Sequence, residues 1–432
     1  MTAQCLERLL NEGPGDFAQW ESGYLAALRQ DGARLLEQAL NDPQLPLPDA
    51  LPGAGEEDAG SRCKSVRSCL GWLRLKRRYF YDAPAGSGRL PLDRALGLVD
   101  SATPLAARWM CRAGALAGSY QAASQDLLAY AGLEIDPSQI QRLIGRLAPV
   151  MDGWREAQPP VFDPAAGEVF CVSVDGTGSP MRRRDLRGHQ GKNGQRAKTL
   201  EVKVAALYTH HKPKQAGEKP ERDYGSSSYL ARMVSAAQFG PLVRAEAQRR
   251  GIARAKETVF LGDGAAWIWK LARNEFPAAV CILDYYHGCE HLQLLANALE
   301  GEGSPQAKRR FRRWRKALLK NGVEKIVAQA LQQLPAAKAP RQAALKEIAY
   351  LRRNRARMQY QTFRQAGYFI GSGVVEAACK TVVGQRLKQS GMLWSRQGAA
   401  HLLTVRCALL SGWFDAFWKA HAAKGKEICL PA

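Results

Sequence analysis

The sequence has no long hydrophobic run and no set of paired cysteines. Its longest apolar candidate, residues 399–414, contains His401 and Arg406, and no stretch has the length needed to span a membrane. The ten cysteines occur singly, without a Cys-x-x-Cys pair, and no secretory signal peptide is recognisable. These absences exclude a membrane-spanning protein and a disulfide-stapled secreted one. They indicate a cytoplasmic protein whose thiols stay reduced.

Acidic residues are also in short supply. The chain of 432 residues has 62 Lys and Arg against 40 Asp and Glu, which gives a formal net charge of +22. A globular protein this basic commonly binds a polyanion, and nucleic acid is the first expectation, with the protein associated with the nucleoid. The length allows two or three domains, and a hydrophobic fraction of 46% is enough for packed cores.

The first part of the chain predicts helices, a linker and a small hairpin. Residues 1–41 have a repeating apolar face that includes Leu10, Leu25 and Leu35, and residues 43–60 are a linker rich in Pro, Gly and acids. Residues 66–81 alternate as a hairpin does. Its outward basic residues are Arg67, Arg74, Lys76 and Arg78, interleaved with the aromatic residues Trp72, Tyr79 and Tyr81. This pattern suits either contacts with nucleic acid or an ordinary solvated strand pair.

Two helices follow in a helix-turn-helix outline. Residues 120–131 are amphipathic, Gly132 breaks the pattern, and Asp136-Pro137 is a start signal for a second helix over residues 138–147. The polar side chains expected to face outward from it are Gln139, Gln141, Arg142 and Arg146. Any helical hairpin gives this outline. The basic charge of the chain favours a DNA-reading helix in which Gln141 and Arg142 contact DNA.

Strands and helices alternate in the middle of the chain. Residues 168–174 and 200–208 are apolar strands, followed by a helix over residues 239–251. The polar segments 181–198 and 210–228 are predicted as mobile loops. Two further apolar runs, residues 259–261 and 280–283, flank a helix over residues 265–276. The pattern predicts a mixed α/β sheet.

Aspartates follow these strands. Asp175, Asp263 and Asp284 each come directly after, or within two residues of, an apolar run. Open α/β sheets place their chemistry at the carboxyl ends of strands, so the three aspartates are candidate site residues. The alternative is that each one only starts a turn or caps the next helix.

The chain becomes wholly helical after His291. Residues 308–320 and 341–358 are dense in Lys and Arg, and within them Arg309, Arg310, Arg312 and Arg313 are expected to contact DNA phosphates. A basic run is usually a solvated helix face, but this density favours phosphate contacts. Gly371-Ser372-Gly373 then opens a helix with Glu376 in its first turn. A last apolar helix, about residues 398–418, is expected to pack on the sheet.

Three acids, Asp175, Asp263 and Glu376, form the set that a ribonuclease-H-like nucleotidyl transferase needs. Such enzymes hold two Mg²⁺ ions about 4 Å apart with hard oxygen ligands. Acids alone are not specific, because a chain with 40 Asp and Glu offers many triplets. Glu376 could instead pair with Lys380 one turn later or favour the start of its helix.

The motifs together resemble the DDE transposases of bacterial insertion sequences, most closely the ISKra-type group related to Mutator-like elements. The resemblance rests on Asp175 in VDGTG, Asp263 in LGDGAAWIW, the pair Asp284-x-x-His287, and Glu376 in GSGVVE. It implies a DNA transposase that cleaves and transfers strands at the ends of its own element. The implied metal ligands are Asp175, Asp263 and Glu376 with two Mg²⁺ or Mn²⁺ ions, and Asp284 and His287 would support them.

The resemblance also implies an architecture and partners. Residues 1–60 would be N-terminal helices and a linker, and residues 61–155 a DNA-binding region. The ribonuclease-H-like core would span residues 165–298 and 366–420, with an all-helical insertion at 299–365. The partners are double-stranded DNA, as element ends and target, and further copies of the chain in a homodimer or larger complex. Lys380 would be a further DNA contact.

One departure from the family concerns zinc. Relatives often have two pairs of cysteines near the hairpin, whereas this chain has only Cys63 and Cys69 there, with residues 81–86 where the second pair would fall. Four soft ligands are absent, so no structural zinc is expected.

Two competing interpretations remain open. His287-Gly288-Cys289-Glu290-His291 fits the H-x-x-E-H signature of some zinc peptidases, although a peptidase does not explain the basic surface. The second alternative is a catalytically silent DNA-binding protein derived from a transposase. The intact set of three acids argues against a pure binder.

Overall fold

The computed structural model describes residues 1–13, 15–47, 51–159, 168–191, 195–215 and 218–423. The chain divides into two compact units, one of Met1–Ala157 with Thr404–Ala432 and the other of Gln158–Leu403. The sequence predicted a catalytic core over residues 165–298 and 366–420. In the structure, the part of that range from Thr404 onward belongs to the first unit.

The first unit begins with two helices, α1 (Thr2–Glu12) and α2 (Phe17–Leu40). Asp16 caps α2 by accepting hydrogen bonds from the backbone N–H groups of Ala18 and Gln19. The leucine-rich face predicted for residues 1–41 is largely uncovered, because α1 buries no residue and α2 buries only Ala27. Leu10 is 83% exposed and Leu35 is 60% exposed.

A hairpin follows, formed by β1 (Glu56–Ser68) and β2 (Gly71–Asp82), with a short third strand β3 (Ser87–Arg89). The hairpin was predicted, but the linker predicted over residues 43–60 extends too far, because β1 already begins at Glu56. Glu56 already pairs with Asp82 across the two strands, because the strand pairing continues past the apolar part of the pattern. Residues 48–50 lie outside the described residues. The inner face of the hairpin packs Val66, Leu73 and Leu75 against Leu92 of α3 (Pro91–Ala95).

Three helices complete this part of the chain: α4 (Pro104–Leu116), α5 (Tyr120–Ala131) and α6 (Pro137–Glu156). Gly132 ends α5 in the left-handed conformation with a φ of 62°, which glycine adopts without steric cost. Asp136 starts α6 with a capping box that includes Gln139. The predicted second helix of residues 138–147 is therefore present, and it continues for two more turns past its expected end.

The second unit is built on a mixed sheet. Its strands are β4 (Val169–Pro180), β5 (Thr199–His211), β6 (Glu221–Arg222), β7 (Ser228–Arg232), β8 (Glu257–Gly262) and β9 (Val280–Leu283). Their order is β6-β5-β4-β8-β9, and β7 pairs with β5. The pairing of β4 with β5 is antiparallel, whereas the pairings of β4 with β8 and of β8 with β9 are parallel. The α/β fold class with a mixed sheet agrees with the prediction.

The predicted loops are more structured than expected. The segment 210–228 contains β6, a 3₁₀ turn at Tyr224–Ser226 and the first residue of β7. The segment 181–198 includes a 3₁₀ turn at Arg183–Leu186. Strand β6 was missed because both of its residues are polar, and β7 because its apolar run is only three residues long. Both strands form through backbone pairing with β5 at the edge of the sheet.

Helices cover the sheet and extend beyond it. They are α7 (Ala236–Arg249), α8 (Ala266–Glu275), α9 (Tyr285–Glu300), α10 (Pro305–Leu318), α11 (Val323–Leu331), α12 (Lys338–Asn354) and α13 (Tyr360–Gln365). Helices α10 and α12 both pack against α9. One apolar core joins the buried strands to these helices, with Trp314 of α10 and Leu351 of α12 among its members.

The chain then returns to the sheet through α14 (Gly373–Ala378), a π-helical turn (Cys379–Gly384) and α15 (Gln385–Leu387). The predicted helix over residues 398–418 is two helices, α16 (Arg396–Leu410) and α17 (Phe414–Ala423), separated near Gly412, whose φ is 74°. The prediction that this segment packs on the sheet does not hold for α17, because α17 packs against α4 and α6 of the first unit.

No helix in the described part of the chain has the length and apolar character required to cross a bilayer.

Candidate active site and nucleic-acid interface

Asp175 lies on β4, the central strand of the sheet. The prediction that the strand ends at this residue is wrong, because β4 continues to Pro180 while paired with β5. What ends here is the parallel pairing with β8, whose last pair is Val174 with Gly262. Asp175 therefore lies where the neighbouring strand stops. Its Oδ1 accepts a hydrogen bond from the backbone N–H of Gly176 at 2.6 Å.

Asp263 comes directly after β8, as predicted from the apolar run before it. Its Oδ1 accepts a hydrogen bond from the backbone N–H of Ala265 at 3.0 Å. Gly264 between them has a φ of 96°, a conformation that favours glycine. The parallel pairing of β4 and β8 brings Asp175 and Asp263 to the same edge of the sheet.

Glu376 lies in the first turn of α14, which Ser372 precedes. The Ser372 hydroxyl donates a hydrogen bond to Glu376 Oε1 at 3.1 Å. Helix α14 packs on β4 and β5, so the chain does return from the helical insertion to the sheet. Glu376 itself is exposed.

The charges of Asp263 and Glu376 both act on Asp175. Burial raises the pKa of Asp175, and the negative charges of Asp263 and Glu376 raise it further. Among the described residues, however, no group of three or more His, Cys, Asp or Glu is arranged to hold a metal ion. The charges of Asp263 and Glu376 thus act on Asp175, but the three carboxylates do not lie around one common point. Ionised carboxylates repel, so bringing them closer costs free energy unless cations or protons lie between them.

The donor chemistry of this group suits a hard cation. The available ligand atoms are carboxylate oxygens, which Mg²⁺ and Mn²⁺ prefer. Asp263 Oδ2 and Glu376 Oε2 accept no hydrogen bond from any side chain or backbone group that the structure describes.

Asp284 has a structural position next to this group. It is 2% exposed and caps α9, with its Oδ1 accepting a hydrogen bond from the backbone N–H of His287 at 2.6 Å. Its Oδ2 accepts one from the backbone N–H of Ser372 at 2.5 Å. The carboxylate of Asp284 thus ties the start of α9 to the residue that begins the helix of Glu376.

His287 and His291 lie one turn apart on α9, with ring centroids 5.0 Å apart. Their Nδ1 atoms face carboxylates: His287 lies 3.1 Å from Glu290 Oε2, and His291 lies 2.5 Å from Glu347 Oε2. The residues of the H-x-x-E-H pattern therefore pair with one another and with α12. This arrangement disfavours the zinc-peptidase interpretation.

Sequence reasoning missed three side chains that contact this region. Cys379 donates a hydrogen bond from Sγ to Asp175 Oδ2 at 3.5 Å, Tyr350 donates one to the backbone carbonyl of Asp263 at 3.2 Å, and Lys388 donates one to Thr177 Oγ1 at 2.5 Å. Cys379 could have been found, because it lies three residues after Glu376 and helical spacing puts both on one face. Tyr350 and Lys388 carry no such signal, since their partners are distant in sequence.

The hairpin presents a basic and aromatic face. Arg74 and Lys76 are exposed, and Trp72 is 51% exposed with the guanidinium of Arg67 at 4.3 Å from its ring centroid. Arg78 is exposed too, but it forms an ion pair with Asp58. Among the hairpin residues predicted to contact DNA, Arg78 has its charge paired within the protein, whereas no ion pair that the structure describes involves Arg74 or Lys76.

Helix α6 exposes Gln141 and Arg142, as the sequence pattern indicated. Arg142 Nε lies 3.5 Å from Asp100 Oδ2, and Arg146 Nη1 lies 2.8 Å from Asp100 Oδ1. One aspartate therefore partly neutralises two arginines on the face predicted to read DNA.

One of the four arginines on α10 that were predicted to contact DNA phosphates differs from the other three in its exposure. Arg309, Arg312 and Arg313 are exposed, whereas the Arg310 side chain is only 13% exposed. Arg310 forms an ion pair with Glu300, and its guanidinium lies 5.2 Å from the centroid of Trp314. Helical periodicity explains the difference, because Arg310 falls on the face that packs against α9. Lys380, in the π-helical turn, is exposed.

No family profile and no curated protein sequence matches the chain. Among solved structures, the chain is similar to the Drosophila P element transposase strand transfer complex, with 9% sequence identity and a TM-score of 0.24. The match covers 74% of this chain and 80% of that one. A likeness this low does not establish a shared fold.

Proposed function

We propose that the chain is a DDE-type DNA transposase with a ribonuclease-H-like catalytic core. The observation that carries the proposal is the position of Asp175, Asp263 and Glu376 relative to the sheet. One acid lies on the central strand, one follows the neighbouring parallel strand, and the third lies on a helix that returns after a helical insertion. This is the arrangement that the resemblance in the sequence implies.

In this function Asp175, Asp263 and Glu376 supply oxygen ligands to two Mg²⁺ or Mn²⁺ ions. Bound there, the ions would activate the attacking oxygen and stabilise the leaving oxygen on a phosphodiester. Asp284 holds the start of α14 through Ser372, and so helps to position Glu376. Because the three carboxylates are not gathered around one point, some closing motion is part of the proposal.

The exposed basic residues would hold the substrate. Arg309, Arg312 and Arg313 on α10 offer charges to DNA phosphates, and Gln141 and Arg142 on α6 offer groups that can read base edges. Strand transfer at two element ends requires two active sites, so a homodimer or larger assembly on DNA belongs to the same proposal.

The decisive experiment uses duplex DNA that contains the sequences flanking the chain's own coding region. We expect Mg²⁺ or Mn²⁺ to support strand cleavage and transfer, and Ca²⁺ to support binding with little cleavage. Asp175→Asn, Asp263→Asn and Glu376→Gln should each abolish cleavage while sparing DNA binding. Lysine and arginine residues are untouched in these variants, so retained binding shows that the fold survives.

The same assay tests the alternative of a catalytically silent DNA-binding protein. This alternative is favoured because no group of side chains among the described residues is arranged to bind a metal ion. Such a protein would bind the flanking sequences with no cleavage under any divalent cation. Cleavage that survives all three substitutions would refute the DDE mechanism itself.

A further inference from the structure

We propose that Tyr350, on the helical insertion, is a positioning residue that fixes the turn carrying Asp263. The insertion then does more than contribute basic surface: it holds one of the three acids in place. The catalytic part of this inference rests on the proposed function. The mechanical part concerns only the turn and can be tested without it.

The contact is made to the main chain of the turn. The Tyr350 hydroxyl donates a hydrogen bond to the backbone carbonyl of Asp263 at 3.2 Å, across 87 residues of sequence. Gly264 makes room for it, because a Cβ at that position would lie 2.1 Å from the hydroxyl oxygen. The Asp-Gly pair after β8 thus serves two needs. Aspartate supplies the carboxylate, and glycine supplies both the positive φ and the space for the tyrosine.

Tyr350 is itself held firmly. It is 8% exposed, and its ring stacks on His291 with centroids 3.5 Å apart and planes 17° apart. His291 Nδ1 lies 2.5 Å from Oε2 of Glu347, which is on the same helix as Tyr350. His291 belongs to α9, whereas Glu347 and Tyr350 belong to α12. The contacts among these three side chains therefore hold the two helices together next to the Tyr350 hydroxyl.

The hydroxyl remains a donor across the useful pH range. A tyrosine phenol keeps its proton at neutral pH, so this hydroxyl can donate to the Asp263 carbonyl. A protonated phenol and a carbonyl form a neutral hydrogen bond that orients the peptide without adding charge to the site. The second histidine of the H-x-x-E-H pattern, His291, therefore has a role other than metal binding, because it stacks on this tyrosine.

The test is Tyr350→Phe, which keeps the ring and its stacking but removes the hydroxyl. A matched control contacts the other end of β8: the Tyr368 hydroxyl donates to Oε2 of Glu257, the first residue of that strand, at 2.8 Å. Amide hydrogen exchange of the full chain, read by mass spectrometry, should rise at least several-fold in the peptide spanning residues 262–269 of Tyr350→Phe. In Tyr368→Phe the same peptide should exchange as in the parent chain.

The activity assay is run alongside it on the flanking-sequence DNA. We expect Tyr350→Phe to lower the cleavage rate about five- to tenfold with DNA affinity unchanged, and Tyr368→Phe to keep the parent rate. Unchanged exchange at residues 262–269 in Tyr350→Phe overturns the inference, whatever the protein does to DNA. Faster exchange with an unaltered cleavage rate overturns its catalytic part. If the parent chain fails to cleave DNA, the proposed function fails, and the exchange experiment still judges the role of Tyr350.

Discussion

The Sγ atom of Cys379 lies 3.5 Å from Oδ2 of Asp175, which places the segment after Glu376 directly against the central strand. Burial raises the pKa of the Cys379 thiol, and the charge of Asp175 adds to the effect, so the thiol stays protonated and donates. Cys379 also begins the π-helical turn, a rare conformation that is frequent at functional sites. The hydrogen bond therefore links Asp175 to the residue that directly follows the helix of Glu376.

Cys379→Ser and Cys379→Ala form a pair that isolates this hydrogen bond. Both remove the sulfur, but only serine keeps a donor. A net hydrogen bond is worth about 0.5–1.5 kcal/mol, so cleavage by the alanine variant should be roughly 2- to 12-fold slower than by the serine variant. The bond also lowers the pKa of Asp175, so the acidic limb of the pH–rate profile should move to higher pH in the alanine variant alone. Equal rates and equal profiles would show that the thiol only fills space.

Asp175 should make the metal-free protein less stable at neutral pH. Burial, followed by the charges of Asp263 and Glu376, raises its pKa in the folded chain above the ordinary value of 3.8. The stability that comes from the protonated carboxyl is fully present below about pH 4, and it is lost as the pH rises through the raised folded-state pKa. Asparagine undergoes no such loss.

Asp175→Asn should therefore melt at a higher temperature than the parent chain at pH 7 in EDTA, and at the same temperature near pH 4. Each kcal/mol corresponds to about 2–4 °C for a domain of this size, and a rise in that range is expected. Thermal unfolding by circular dichroism across pH 4–8 provides the measurement. A lower melting temperature at pH 7 would contradict the idea that burial and the neighbouring like charges make the ionised Asp175 carboxylate destabilising.

Asp284 offers a prediction about stability. Both of its carboxylate oxygens accept backbone N–H groups, from His287 and from Ser372. Asp284→Asn replaces one acceptor with an NH₂ group, so one buried N–H loses its partner at a cost of about 1–3 kcal/mol. Urea unfolding should show a lower midpoint with an unchanged slope. Glu168→Gln is the control, because its ion pair with Lys256 is exposed and such pairs contribute at most about 1 kcal/mol.

The strands that bury apolar side chains were predictable, and so was the position of Asp263, because an apolar run followed by Asp-Gly marks a strand end. Asp175 was harder. Its strand continues through Gly176 and Gly178, which look like a turn in sequence but pair with β5 in the sheet. The sequence also could not predict Tyr350 or Asp100 as partners of site residues. Both contacts depend on tertiary packing between segments that carry no local pattern linking them.

The basic helix α10 can be dissected with variants on a single helix. Arg309, Arg312 and Arg313 are exposed, so changing them to alanine should weaken DNA binding and lower its salt dependence. The slope of log K against log salt should become shallower by about 0.9 for each phosphate that the variant no longer neutralises. Fluorescence anisotropy over a series of salt concentrations gives the slopes.

Arg310→Ala is the control on the same helix. It should leave the salt slope unchanged and instead lower the melting temperature, because Arg310 pairs with Glu300 and packs on Trp314. If the salt slope of DNA binding changed in Arg310→Ala but not in the variants of Arg309, Arg312 and Arg313, the assignment of DNA-binding and structural arginines would be wrong.

Asp100 should restrain DNA binding by α6. It pairs with both Arg142 and Arg146, and its backbone φ of 48° lies in the left-handed region. Asparagine tolerates that region, so Asp100→Asn removes the charge without straining the turn. With the competing anion gone, both arginines become more available to phosphates, and affinity for random duplex DNA should rise about two- to tenfold at low salt.

The matched variant is Gln141→Ala, which removes a group that can read a base edge and leaves the charges alone. It should cost about 1–3 kcal/mol on the flanking-sequence DNA and little on random DNA. Combined with Asp100→Asn, it should give a chain that binds more tightly but discriminates less, because phosphate contacts position a helix and base contacts specify the sequence. If Asp100→Asn leaves both affinities unchanged, the arginines of α6 do not face DNA. The helix would then be a structural part of the α4–α6 bundle.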